Sequence, residues 1–168
     1  MNKYIEKYKK IIDELVQKSF PILKNKPISV SEDKNKKRYY GISYDFVLFK
    51  HIGISEKSRK YSKKALKGLL AHELSHLENS TKMSFYRKII YFIKWFFSKK
   101  TKAEYETMAD MLLIKKGYGK EYSQFVIEGL KGKNKEYLKR RKEKGYFNLK
   151  QVKEYMKKKN VKTIHLRN

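Results

Sequence analysis

Leu66-Lys67-Gly68-Leu69-Leu70-Ala71-His72-Glu73-Leu74-Ser75-His76-Leu77-Glu78 is the stretch on which the reading of this chain turns. Leu66, Leu70, Leu74 and Leu77 recur at spacings of three and four, which predicts a helix with one apolar stripe. We place that helix at about Ser62 to Glu78. His72 and His76 stand at i and i+4, about 40° apart around the axis, so both imidazoles can converge on one metal ion. Glu73 points about 100° from His72 and about 60° from His76. It can sit beside a metal-activated water without ligating, the place of a general base. The plainer alternative is a histidine pair on an ordinary core helix.

A catalytic zinc needs three protein ligands and one open position. The chain has no cysteine and only four histidines, at 51, 72, 76 and 165. The third ligand is therefore sought among carboxylates on a second helix, predicted over 101–116 and closed by Gly117. Glu106 and Asp110 are again four apart there. Glu106 can bind the metal while Asp110 accepts a hydrogen bond from a ligand histidine, fixing its tautomer. Glu104 has Met108 four residues on and lacks that second acid. The alternative is a solvated acidic pair on a lysine-rich helix.

His72-Glu73-Leu74-Ser75-His76 followed by Glu106-Thr107-Met108-Ala109-Asp110 resembles the gluzincin zinc metallopeptidases. Within them it is most similar to the archaeal minigluzincins and to the peptidase domains of the HtpX-type and CAAX-prenyl-protease families. The similarity covers about residues 52–119. It implies a small zincin-like domain that binds Zn2+ through His72, His76 and Glu106, with Glu73 as catalytic base and Asp110 behind a ligand. It also implies that an edge strand before the motif helix binds substrate backbone, which places His51, Ile52 and Gly53 at a substrate site. Such enzymes hydrolyse peptide bonds in peptide or protein substrates. They tend to carry a His, Tyr or Arg that stabilises the oxyanion; Tyr105, Tyr118, Tyr122 and His165 are equally open here. Some minigluzincins are latent, blocked by a terminal segment, a role open to Val161–Leu166 paired as a strand on the sheet edge.

Outward from this centre, 168 residues suit one domain, with a catalytic core at about 45–120 and a basic helical extension at about 121–168. An amphipathic helix is predicted over 3–18 through Ile5, Tyr8, Ile12 and Leu15. Between Pro27 and Ser55, the short β-prone runs 28–30, 38–44 and 46–49 predict a sheet of about three strands ending near 51–55. Shorter helices are predicted over 121–130, 134–144 and 149–159, the last capped by Asn148 with Gln151 three residues on. The fold class is α+β.

The net charge of +26 comes from 43 Lys and Arg against 17 Asp and Glu. It favours polyanions, yet lysine is spread over the whole chain, which equally describes a solvated surface. A second functional class therefore stands beside the peptidase: a nucleic-acid- or anionic-lipid-binding protein whose zinc site is structural or vestigial. Residues 83–97, Met-Ser-Phe-Tyr-Arg-Lys-Ile-Ile-Tyr-Phe-Ile-Lys-Trp-Phe-Phe, are too short and too charged to span a bilayer. Three readings stand for them: a core helix with its charges outward, a peripheral membrane contact, or a lid between the ligand helices or partner surface. The charged N-terminus has no signal-peptide pattern, so the expected compartment is the cytoplasm, with membrane association open.

Overall fold

The computed structural model describes residues 2–33, 40–45 and 49–165, with side chains through Lys158. It is an α+β fold in which a small sheet and several helices wrap one central helix. Helix α1, Lys3–Ser19, starts at Asn2, whose side chain accepts the Tyr4 N–H. Its buried face is Tyr8, Ile11, Ile12, Leu15 and Val16, which adds Ile11 and Val16 to the predicted stripe and leaves Ile5 only partly covered. Pro21 stops it by opening a short 3-10 turn.

The sheet has three strands, β1 Ile28–Asp33, β2 Gly41–Asp45 and β3 Lys50–Ser55, in the order β1-β3-β2. Strand β3 runs parallel to β1 and antiparallel to β2, with Val30 and Ser43 both opposite Ile52. Hydrogen-bonded on both sides, β3 is the inner strand, and Ile52 and Ile54 are fully buried. This corrects the placing of His51, Ile52 and Gly53 on a substrate-binding edge: β3 has no free edge for a peptide. Both His51 nitrogens are instead taken by β1, Nδ1 by Ser29 at 2.8 Å and Nε2 by Ser31 at 2.9 Å. Of the three predicted runs, 38–39 and 46–48 lie outside the described residues, and Phe49 is not in a strand.

Helix α2, Lys63–Thr81, is capped by Ser62, whose hydroxyl accepts the Ala65 N–H at 3.1 Å. The same serine donates to Glu128 from both its N–H and its hydroxyl. Every residue from Gly68 to Glu78 is buried, polar ones included. Gly68 explains how a neighbour comes so close. A Cβ there would lie 2.3 Å from the Glu121 carbonyl oxygen and 2.6 Å from the Tyr122 nitrogen, so only glycine lets helix α5 (Gly119–Leu130) rest on α2.

Helix α3, Phe85–Phe97, has no buried residue, which overturns the core reading of this segment. Helix α4, Lys99–Lys115, carries the acidic pair and ends before Gly117, whose φ of +94° permits the left-handed C-terminal turn. Helix α6, Lys135–Glu143, is capped by Asn134. Asn148 and Gln151 cap each other reciprocally at 2.9 Å, opening α7, Leu149–His165. That helix continues through Val161–His165, so a strand there is not formed; Leu166 lies outside the described residues. A helix nucleated at a good cap and packed through Val152 adds further residues at little cost, and this favours continuation over a new strand.

Candidate metal centre

Four elements meet at the site: α2, α4, the edge strand β2 and the turn 144–148 between α6 and α7. Helix α2 presents His72 and His76 one turn apart, and α4 brings Glu106 against them. Glu106 Oε2 is 3.2 Å from Nε2 of each histidine, and the two Nε2 atoms are 3.0 Å apart. The three residues form a group able to hold a metal ion.

The donor chemistry supports that use. Asp110, fully buried, faces His72 Nδ1 at 2.8 Å. A carboxylate can only accept, so Nδ1 carries the hydrogen, and neutral His72 then turns a bare lone pair on Nε2 toward Glu106 and His76. Acceptors gathered this closely repel one another unless a cation lies among them. Donors about 2.0–2.1 Å from a tetrahedral zinc are themselves about 3.3 Å apart, so the 3.0, 3.2 and 3.2 Å triangle has nearly the right size. Without metal, a proton takes the cation's part. Burial opposes protonation of His72, but Asp110 and Glu106 push its imidazole up to about 10. Burial likewise opposes ionisation of Glu106, yet the His76 charge and the bonds to both imidazoles hold its carboxyl well below the usual range. Metal binding at such a site displaces a proton.

The supports of the two histidines differ. Beyond its bond to Asp110, His72 stacks on Tyr122 with ring centres 5.7 Å apart and planes 10° apart. Asp110 is itself held, its second oxygen accepting the Phe147 N–H at 2.7 Å. His76 stacks on Tyr105 at 4.2 Å, but its buried Nδ1 has no hydrogen-bond partner among the described residues. Packing orients His76, whereas packing and the Asp110 bond together orient His72.

Glu73 is 4% exposed and faces β2. A Cβ on Gly41 would lie 2.6 Å from Glu73 Oε1, so a larger residue at the start of β2 would displace the Glu73 carboxylate. Burial pushes the Glu73 carboxyl up; His72 and His76 pull it down, and Ser43 bonds to it. A cleft of about 490 Å³ reaches His72, Glu73 and Gly41 and is walled opposite by Tyr137, Arg141 and Tyr146.

Sequence reasoning missed two of these wall residues. Tyr146 lies 5.8 Å from the His72 ring, and burial, then Glu106 and Glu73, raise its phenol well above the ordinary value. Arg141 donates to Tyr122 at 3.0 Å and lies over the Tyr146 ring at 4.6 Å. Its Nε is buried without a partner among the described residues. Thr107 on α4 bonds the Gly145 carbonyl at 2.8 Å, which ties the Tyr146 turn beside the histidine pair. The one available signal was Gly145, a turn residue with φ of +82° and the Ala103 carbonyl close against its backbone.

Of the other tyrosines considered, Tyr122 and Tyr105 pack on the His72 and His76 rings, whereas Tyr118 bonds Ser19 at 2.7 Å and stacks on Phe20. The His165 side chain lies outside the described residues. In comparisons with models of known families, with curated proteins and with solved structures, nothing matches this chain.

Proposed function

We propose that the chain is a zinc-dependent endopeptidase that uses His72, His76 and Glu106 to hold the metal and Glu73 as general base. The observation that carries this reading is the donor triangle with a buried, unligating carboxylate on the same helix and a cleft open to both. A purely structural zinc is normally closed by four protein ligands; among the described residues three are grouped here. The resemblance to gluzincins points the same way.

When bound, zinc there supplies a Lewis acid that lowers the pKa of water and polarises a carbonyl. The remaining work falls to the chain. Glu73, its proton affinity raised by burial, takes a proton from the attacking water and delivers it to the leaving amine. Tyr146 stays protonated at neutral pH and lines the cleft, which suits it to donate to the developing oxyanion. Arg141 over its ring adds positive potential. Strand β2 is an edge of the sheet and begins against Glu73, so an extended peptide adds to β2 and not to β3.

The test pairs metal analysis with hydrolysis of an unstructured protein such as casein. Wild type and Glu73→Gln should each retain one zinc, and only wild type should cleave. One zinc in both with cleavage by neither of casein or of a peptide library sinks the peptidase reading.

A further inference from the structure

We propose that α3 is a docking helix that lies flat in the interface of an anionic lipid bilayer. At about 100° per residue, Phe85, Tyr86, Phe92, Ile93, Phe96 and Phe97 fall within an arc of about 140°. That arc faces away from the protein: Phe92 is 65% exposed, Phe96 61% and Phe97 82%. The opposite face carries Lys88, Tyr91 and Trp95, each partly buried. Lys88 bonds Asp45 at the end of β2 at 2.7 Å, Tyr91 packs on Tyr105, and Lys102 of α4 covers the Trp95 ring at 5.0 Å. The amphipathicity is thus inverted for a water-exposed helix: the polar contacts hold it to the domain and the aromatic side is presented outward. A contiguous apolar face of this kind marks a surface that something covers.

The charge pattern selects the occupant. Arg87 and Lys94 border the apolar arc and are exposed, and Lys99 and Lys100 follow it. No acidic residue occurs between Glu78 and Glu104. A second copy of this face would bring two uncompensated cationic rims together. A lipid surface accepts the rings among its acyl chains and the cations among its headgroups. Thirteen residues make a helix of about 20 Å, short of the roughly 30 Å hydrocarbon thickness, so α3 lies in the interface. Among the described residues no helix is long and apolar enough to cross a membrane.

The test is flotation of the full chain with phosphatidylcholine vesicles, with and without phosphatidylglycerol, at low and moderate salt. Wild type should float with the anionic vesicles, and F92S/F96S/F97S should lose this by roughly tenfold or more, as expected when three large rings leave the interface. Circular dichroism should show the variant folded, since these side chains touch little of the core. Equal binding by the triple variant would mean that net charge alone attracts lipid and would overturn the proposal. So would no binding by wild type, or a wild-type dimer in sedimentation velocity that the variant abolishes.

Discussion

Helices α2 and α3 are separated by three residues and have opposite fates. Helix α2 is poor in aromatics and carries two histidines and two glutamates, yet it is buried from Gly68 to Glu78. Helix α3 is dominated by Phe, Ile and Tyr, yet none of its residues is buried. Hydropathy alone would have exchanged them. Burial follows the availability of partners: α1, β2, α4 and α5 close around α2, whereas α3 touches the domain mainly along α4. Burying polar groups costs free energy unless each is paired. The groups on α2 are therefore informative, since Glu78 pairs with Lys82 and Lys116 while the His72, Glu73 and His76 set has a coherent use around a cation. The apolar face of α3 is informative for the reverse reason, as surface still lacking its neighbour.

The contrast breaks most visibly at Gly68. Gly68→Val should drive a side chain into the α5 backbone and destabilise by about 3 kcal/mol or more, read from urea unfolding. Single Phe92→Ser or Phe96→Ser changes on α3 should stay within about 0.5 kcal/mol. Similar costs at both sites would erase the distinction between the helices. Tyr146→Phe, which keeps the ring beside His72 and removes the phenol, should lower kcat by about a hundredfold while retaining zinc. An unchanged kcat would exclude Tyr146 as the oxyanion donor.

A smaller effect is expected behind the ligands. Asp110→Asn should weaken zinc about 10- to 100-fold in competition with a chromophoric chelator, through loss of the charge that orients His72. The smallest concerns Asp45, which joins β2 to Lys50, Lys88 and Ser80. Burial opposes its ionisation, but those three partners lower its pKa. Its contribution to stability is present above the ordinary aspartate value of about 3.9 and declines as pH falls toward the depressed native value. Wild type should therefore lose stability over that acid range by more than Asp45→Asn does, measured as urea midpoint against pH. Parallel profiles would show that the Asp45 cluster, and with it the Lys88 anchor of α3, adds nothing.

What could be read in the sequence was local. The stripe on α2, the Asn148–Gln151 cap and the glycine after α4 each depend on residues within one or two turns. The spacing of His72, His76, Glu106 and Asp110 was legible because helical geometry fixes which side chains share a face. What depended on tertiary partners was not. The resemblance put the substrate edge on β3, and nothing in Lys50–Ser55 itself tells that β1 lies alongside it in parallel. The readings of segment 83–97 stayed open because its composition also suits a core, and exposure is a property of the neighbours. Tyr146 and Arg141 stayed hidden because a basic tail carries no sign that its turn is fastened to α4 through Thr107 and Asp110.

The central claim is that His72, His76 and Glu106 share one cation. Zinc K-edge X-ray absorption on the purified chain reloaded with one equivalent of Zn2+ tests it most directly. The account predicts a shell of nitrogen and oxygen donors at about 2.0–2.1 Å with the outer scattering of two imidazoles. Glu106→Gln should change that shell and Glu73→Gln should leave it intact. A spectrum of hexa-aqua zinc, or one unaltered when His72 and His76 are both replaced by alanine, would contradict it.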